Sequence, residues 1–372
     1  MDREELRAWL RLTLSPGIGN ITARKLLATF GLPQAIFEQT TVALRQVATP
    51  LQTEALRTEP AALAGLFETT WAWLDQSGTH GCQRQVLTLG DPAYPSALLN
   101  LDDPPLMLYL LGVASFDDNK ATARPWPILP QRCLAIVGSR NPTPQGAGNA
   151  KFFAKTLVQA GLTVVSGLAL GVDGAAHEGA LEGLVDGATD LPATLAVIGT
   201  GLDRVYPKAH HGLAHRITQH GLLISEYPLG TPPLNANFPK RNRIIAGLAG
   251  GTVVVEAAPR SGSLITARLA AEYGREVMAI PGSPLDPRSH GCNEMIREGA
   301  ILVQGAADII ELVTSFDGVP RSHFHEEGEA FDFGGADYAL GGPRTLPEGP
   351  LDWDEPEMRE MDEDEARDCG AE

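Results

Sequence analysis

The residues best suited to chemistry form a basic cluster, Asn237-Phe238-Pro239-Lys240-Arg241-Asn242-Arg243. Over residues 237–275 the chain has six basic residues against Glu256 and Glu272, a local net charge of +4. Arginine binds phosphate through paired hydrogen bonds, and an aromatic ring can stack on an unpaired base. The cluster therefore predicts contacts to a single nucleic-acid strand. The plainer interpretation, which stays open, is that some arginines pair with nearby glutamates and that Phe238 belongs to the core.

Two glycine- and serine-rich turns are candidate phosphate-binding sites. They are Gly138-Ser139-Arg140 and Ser261-Gly262-Ser263. Each turn opens onto a predicted helix, where free backbone N–H groups and the positive end of the helix dipole attract anions. Thr266 and Arg268 follow the second turn. For any one turn, the alternative is that its glycine only makes a tight connection between a strand and a helix.

Missing motifs argue against several other chemistries. The sequence has no G-x-G-x-x-G fingerprint and no phosphate loop of P-loop ATPases, which disfavours classical NAD binding and ATP hydrolysis. It has no nucleophile turn and no metal-ligand spacing, so we expect no catalytic residue, no metal and no cofactor. Asp173 and His177, four residues apart on a predicted helix, could form a general-base pair. We favour a structural role for them and interpret His210 and its neighbouring histidines as surface residues.

The elements that must position these residues begin at about Arg132. There, segments rich in valine and isoleucine alternate with helical patterns, which indicates βαβ units around a buried parallel sheet. The seven predicted strands are Leu134–Val137, Leu162–Val165, Thr194–Ile198, Leu222–Ile224, Thr252–Val255, Val277–Ile280 and Ile301–Val303. Ligands of a doubly wound sheet bind beyond the carboxyl ends of its strands. Both turns and the basic cluster are expected at that edge.

The chain divides into three predicted regions. Residues 1–80 are expected to form a small all-helical domain, residues 81–318 the α/β domain, and residues 319–372 an acidic, disordered, low-complexity tail. In the first region, Ser15-Pro16-Gly17-Ile18-Gly19 is similar to a helix-hairpin-helix turn, whose backbone N–H groups contact DNA phosphate. That similarity predicts a contact with duplex DNA, and a purely structural turn is the open alternative.

The overall charge does not exclude nucleic acid as a partner. The net charge is −17, but residues 321–372 hold 17 acidic and 4 basic residues, which leaves only −4 for the other 320 residues. The sequence has no run of 18 or more apolar residues, so it predicts no membrane-spanning helix. The charged first residues and the four scattered cysteines favour a cytoplasmic protein without disulfides.

Several ordered motifs between about Leu101 and Val313 resemble the DprA/Smf family of bacterial DNA-processing proteins, which act in natural transformation. The matching segments are Asp103–Leu106, Ala135–Arg140, Ser166–Ala169, Gly171–His177, Gly199–Asp203, Tyr206-Pro207, Asn237–Ala246, Arg260–Arg268 and Gly291–Asn293. Many relatives also carry a small winged-helix-like domain at their end, where this chain has its acidic segment. The sequence therefore predicts that this module is lost or replaced here.

The resemblance implies an extended Rossmann-like domain after a helical SAM-like domain. It also implies a protein that is not an enzyme but binds single-stranded DNA, protects incoming strands, loads the recombinase RecA and forms a homodimer. The implied DNA-binding residues are Gly138, Ser139, Arg140, Asn237, Phe238, Lys240, Arg241, Arg243, Ser261, Gly262, Ser263, Thr266 and Arg268.

Two other functions remain as alternatives. Gly250-Gly251-Thr252 and Glu256 are faintly similar to the phosphate loop and glutamate of lysine-decarboxylase-like phosphoribohydrolases, which cleave nucleoside monophosphates. Release of free base from a nucleoside monophosphate would support that reading. The other alternative is a protein scaffold that binds partners through its acidic tail and leaves DNA unbound.

Overall fold

The computed structural model describes residues 1–76, 82–115, 124–125, 132–184 and 191–317. The predicted domain boundaries at residues 80 and 318 and the predicted acidic tail lie outside these ranges.

Residues 1–76 are helical, as predicted. The helices are α1 (Arg3–Leu14), α2 (Asn20–Phe30), α3 (Pro33–Glu38), α4 (Thr41–Leu44), α5 (Pro50–Arg57) and α6 (Leu63–Asp75). Side chains fix several of their starts: the Asp2 carboxylate accepts the N–H of Glu5 at 2.8 Å, and Thr49 and Gln52 form a capping box at α5. Buried residues of these helices, including Trp9, share a core with sheet residues such as Tyr109. Apolar burial therefore holds the helices on the sheet.

Within the described residues, the main sheet has nine strands. In chain order, the strands of the structure are β1 (Gln83–Thr88), β2 (Met107–Gly112), β3 (Ala114–Ser115), β4 (Arg124–Pro125), β5 (Cys133–Val137), β6 (Thr163–Ser166), β7 (Thr194–Val197), β8 (Leu222–Ser225), β9 (Gly251–Val254), β10 (Glu276–Ala279) and β11 (Ile301–Leu302). Strands β3 and β4 form a separate two-stranded sheet, and the others form the main sheet. The order is β1-β2-β8-β7-β6-β5-β9-β10-β11. The pairs β1–β2 and β2–β8 are antiparallel, and the other pairs are parallel.

The predicted α/β class is confirmed, and all seven predicted strands appear as β5–β11 with ends shifted by no more than one residue. The sequence pattern did not predict β1 and β2, because prolines interrupt the segment that contains them. The chain runs outward from β5 to β8 and then returns to place β9 on the other side of β5. The switch point of this doubly wound sheet therefore lies between β5 and β9, where such folds usually bind ligands.

Helices cover both faces of the sheet. They are α7 (Pro144–Gln159), α8 (Val172–Glu182), α9 (His211–His220), α10 (Asn237–Leu248), α11 (Gly262–Glu272), α12 (His290–Arg297) and α13 (Ala306–Asp317). Alternate residues of β5 belong to different cores: Leu134 and Ile136 pack with α7 and α8, while Ala135 and Val137 pack with α10 and α11. This alternation is what a two-sided, buried strand requires. No helix in the described ranges is long and apolar enough to cross a membrane.

Candidate nucleic-acid interface

The switch point between β5 and β9 is filled by the protein itself. The Glu256 carboxylate, which follows β9, accepts the Thr143 N–H at 2.9 Å and also the Thr143 hydroxyl, at the start of α7. The Ser139 N–H donates to the Glu256 carbonyl at 2.7 Å, and the Asn141 N–H donates to Ser139 Oγ at 3.1 Å. An internal carboxylate thus lies at the start of α7, the helix that follows the Gly138-Ser139-Arg140 turn and was expected to attract phosphate. Because its carboxylate is engaged by Thr143, Glu256 is not free for the catalytic role that the phosphoribohydrolase alternative requires.

Arg241 points into the protein, although the sequence suggested a DNA-binding arginine. It is 5% exposed, and its guanidinium donates to the carbonyls of Gly167 and Val197 at the ends of β6 and β7. A Cβ at position 167 would collide with the buried Arg241 guanidinium, so glycine leaves room for that side chain. The spacing carries a signal for this burial. Arg241 lies three residues before Ile244 and seven before Leu248, on the stripe of α10 that faces the core.

Buried Asp173 balances the charge of Arg241. Its carboxylate accepts the N–H groups of Gly167 at 3.2 Å and Ala169 at 3.4 Å, so it shapes the turn after β6. Burial raises the pKa of this carboxyl, and the charge of Arg241 and the two N–H groups oppose that rise. The pair holds the loop and α10 together beneath the surface. The expected structural role of Asp173 agrees with this geometry.

His177 ties α8 to the sheet. Thr194 Oγ1 donates to the Val164 carbonyl at 2.7 Å and therefore accepts the proton of His177 Nδ1, also at 2.7 Å. His177 Nε2 has no partner within the described part of the chain, and burial lowers the pKa of the ring to about 3. His210, which was expected at the surface, is instead half-buried with Nδ1 2.9 Å from the Leu168 carbonyl.

Asn237 and Arg243 also anchor α10. Asn237 is 7% exposed and donates from Nδ2 to the Gly199 carbonyl at 3.0 Å. The Arg243 side chain is 11% exposed, donates to the Glu226 carboxylate and lies 3.6 Å from Asp103. This is the pairing that the plainer interpretation of the basic cluster foresaw. We call Glu256, Asp173, Arg241 and Asn237 the anchor layer, because they join the strand ends to the loops and helices above them.

A second set of side chains lies on the outside of this layer. Arg140 is exposed, and its guanidinium carbon is 5.9 Å from the centroid of the Phe238 ring, within reach of a cation–π contact. The ring of Tyr206, 37% exposed, lies 5.5 Å from that of Phe238 with a 40° tilt. Lys240 is exposed two residues further along α10. We call Arg140, Tyr206, Phe238 and Lys240 the binding face.

Glycine makes the binding face possible at one position. A Cβ at Gly199 would lie 3.2 Å from Phe238 Cδ1, so the absence of a side chain lets the ring settle on the turn after β7. In the sequence, Tyr206 belongs to a segment that resembles the family, and nothing in that segment predicted its position beside Phe238. An aromatic residue next to a glycine-rich turn is the only sequence signal that could have indicated it.

The other predicted site residues divide by exposure. Gly262 and Arg268 are exposed, Gly138, Ser139 and Ser261 are half-buried, and Ser263 and Thr266 are buried. Ser261 caps α11 by accepting the Ser263 N–H at 3.4 Å, and Asn242 Nδ2 donates to the Gly262 carbonyl at 3.3 Å. The start of α11 is thus joined to α10, but its polar side chains serve the cap first.

Comparisons with known proteins place this chain in a defined family. The sequence model of the family described as DNA recombination-mediator protein A matches residues 85–314. Protein Smf of Synechocystis is 42% identical over 219 residues, which are 59% of this chain and 51% of that protein. DNA processing protein DprA of Streptococcus pneumoniae is 44% identical over 220 residues, which are 59% of this chain and 71% of the relative.

Two solved structures are similar over most of their length. The structure of DprA from Streptococcus pneumoniae matches with a TM-score of 0.64 and 33% identity. The match covers 84% of this chain and 98% of the Streptococcus pneumoniae chain. DNA processing protein A from Helicobacter pylori, studied for its single-stranded DNA binding mode, has a TM-score of 0.51 and 31% identity, and covers 63% of this chain and 97% of its own. The matched part spans about half the length of the Synechocystis relative and 59% of the Escherichia coli protein Smf.

Proposed function

The chain belongs to the DNA recombination-mediator protein A family, and from that premise we propose that its binding face holds single-stranded DNA. The observation that carries the proposal is the exposed Arg140 guanidinium over the Phe238 ring, which lies against Tyr206, with the exposed Lys240 two residues further along α10. Cations that track the backbone and rings that stack on bases are the two parts of a single-strand site. The related protein of Helicobacter pylori binds single-stranded DNA, which supports the same ligand here.

Each part of the binding face has a separate task. Arg140 and Lys240 neutralise phosphates, which positions a strand without selecting its sequence. Tyr206 is the more exposed ring and offers its outer face to a base, while Phe238 backs it from 5.5 Å. The ring spacing is too short for a base to insert between the two, since stacked rings need roughly 3.5 Å on each side. Sequence preference should accordingly be weak.

The wider role follows from the family and is part of the same proposal. We propose that the protein is not an enzyme, that it acts in the cytoplasm on incoming strands during transformation, and that it passes the bound strand to the recombinase RecA. A homodimer would offer two binding faces and raise the affinity for long strands. The family's description as a recombination mediator supports this order of events.

Fluorescence anisotropy with a labelled strand of about 30 nucleotides tests the DNA-binding proposal. We expect Arg140→Ala with Lys240→Ala to weaken binding roughly 30-fold, because two charge-assisted contacts are lost. Lys151→Ala with Arg216→Ala is the matched control, since it removes two cations, one half-buried and one exposed, that pair with glutamates on α8. Equal affinity of the double variant and wild type would overturn the proposal. A parallel titration with the duplex tests the predicted contact of the N-terminal hairpin.

A further inference from the structure

A cleft of about 700 Å³ separates the helical region from α10 and α11. Its volume lies within the range of about 300 to 1,000 Å³ that is usual for small-molecule sites. One wall is formed by Thr13, Gly19 and Asn20, and the facing walls by residues that include Lys240, Arg243 and Ile265. Lys240 thus belongs both to the binding face and to this cleft.

The helical wall offers backbone donors. The hairpin Ser15–Gly19 ends where α2 begins at Asn20, and no side chain caps this helix at Gly19. The first N–H groups of a helix and its positive dipole end favour an anion. The position of this wall is fixed, because Arg24 on α2 donates to the Asp102 carbonyl at 2.6 Å and Gln52 donates to the Gly17 carbonyl at 2.9 Å.

Two carboxylates and two cations line the cleft, so its charged side chains balance one another. Glu226 and Asp103 also line it, but Arg243 pairs with Glu226 and lies 3.6 Å from Asp103. The two carboxylates are thereby partly offset within the protein. Lys240 and the start of α2 remain on opposite walls as the groups that attract a phosphate.

The other side of the cleft is apolar. Ile265 is 39% exposed, although it is a large aliphatic residue, and Leu269 lies one helical turn further along α11. Both line the cleft together with Tyr273 and Pro239. An apolar wall of this kind can pack against the flat face of a nucleobase, but it does not stabilise a bare inorganic anion.

We infer that this cleft is a second site, which takes one nucleoside phosphate with its phosphate between Lys240 and the start of α2 and its base against Ile265 and Leu269. The inference rests on the proposed DNA binding, because the unit is supplied either by the bound strand or by a free nucleotide. In this arrangement, the hairpin at Ser15–Gly19 contacts a single-stranded unit in the cleft and does not contact duplex DNA.

Substitutions at Asn20 test the inference. An acidic residue in the first turn favours the helix itself, so Asn20→Glu should fold normally while it repels phosphate. We expect Asn20→Glu to weaken binding of a 20-residue oligothymidylate roughly fivefold and to lower its salt dependence by about one phosphate. Asn20→Gln, the uncharged match, should behave as wild type. Ile265→Ala, which shortens the apolar wall, should independently weaken the same oligomer about threefold.

Two further arms separate the possible outcomes. Thymidine 5′-monophosphate, titrated by calorimetry, identifies a free nucleotide as the occupant if it binds wild type and loses affinity in Asn20→Glu. An effect confined to the oligomer identifies the bound strand. If Asn20→Glu and Ile265→Ala both match wild type with both probes, the cleft site is refuted. Arg140→Ala serves as the separate control: its effect on the oligomer tests the binding face whatever the cleft does.

Discussion

The anchor layer and the binding face lie at the same edge of one sheet, yet they use similar residues for opposite purposes. In the anchor layer, Arg241 and Asp173 are both less than 10% exposed, and their charges are directed at backbone groups and at each other. On the binding face, Arg140 and Lys240 are exposed, and aromatic rings accompany them. A basic residue beside a glycine-rich turn can therefore stabilise the fold or bind a ligand. Burial, which the residue type does not reveal, decides between the two.

The difference also bears on the proposed position of the ligand site. In many doubly wound sheets the switch point is left open for a nucleotide. Here Glu256 occupies the start of α7 beside β5 and β9, so that position is closed. The aromatic rings lie instead at the turn after β7, where Phe238 packs on Gly199, and Arg140, which follows β5, reaches that ring. Arg241 anchors α10 to the ends of β6 and β7.

The largest effect should come from breaking the anchor layer. Arg241→Met leaves the buried Asp173 carboxylate without its cation, and we expect a loss of about 3 kcal/mol or more in the free energy of unfolding. Urea unfolding monitored by circular dichroism measures it. Adding Asp173→Asn to Arg241→Met should recover part of the loss, because the unpaired charge is removed. A stable Arg241→Met variant with lost DNA affinity would instead move Arg241 to the binding face.

A pH-dependent loss should follow from His177. Its folded pKa of about 3 is below its usual value of 6.5, so the unfolded chain binds the proton and stability falls as the pH drops from 6.5 towards 3. At pH 5 we expect a loss of about 2 kcal/mol relative to pH 8. His177→Gln, which keeps a donor for Thr194 but does not titrate, should lack this component. Identical pH profiles of the unfolding free energy for both proteins would contradict the buried, neutral imidazole.

Opening the closed switch point should have a smaller effect. Glu256→Ala removes the carboxylate that accepts two hydrogen bonds from Thr143, the N-cap residue of α7, and we expect a loss of about 1 to 2 kcal/mol in unfolding free energy. Because the freed helix start attracts anions, inorganic phosphate should raise the melting temperature of the variant more than that of wild type. Calorimetric melting with phosphate, against chloride at equal ionic strength, checks this. The same shift in both proteins would mean that Glu256 does not stand in for an anion.

The smallest expected effect is on the aromatic part of the binding face. Tyr206→Leu should weaken single-strand binding by about 1 kcal/mol, roughly fivefold, because one stacked base is lost. Tyr206→Phe keeps the ring and should bind as wild type. With a strand of abasic residues, wild type and Tyr206→Leu should have equal affinity by anisotropy. A loss that persists on the abasic strand would show that Tyr206 does not stack on a base.

The sequence predicts the two regions unequally. Strands β5–β11 are readable because runs of valine and isoleucine recur at the spacing of βαβ units. β2 was missed, although Met107–Leu111 is apolar, because Pro104 and Pro105 suggested an irregular segment. In the site, charge predicted Arg140 and Lys240 on the binding face, but it could not show which way Arg241 points. The position of Tyr206 depends on how the turns after β7 pack in three dimensions, which no local pattern encodes.

The salt dependence of single-strand binding tests the division between the two regions most directly. The logarithm of the binding constant falls with the logarithm of salt concentration by about 0.7 for each phosphate that a protein neutralises on a single strand. For Arg140→Ala with Lys240→Ala, we expect a slope about 1.4 shallower than that of wild type, with an unchanged free energy of unfolding. A wild-type slope in this variant would contradict a phosphate-binding role for the binding face.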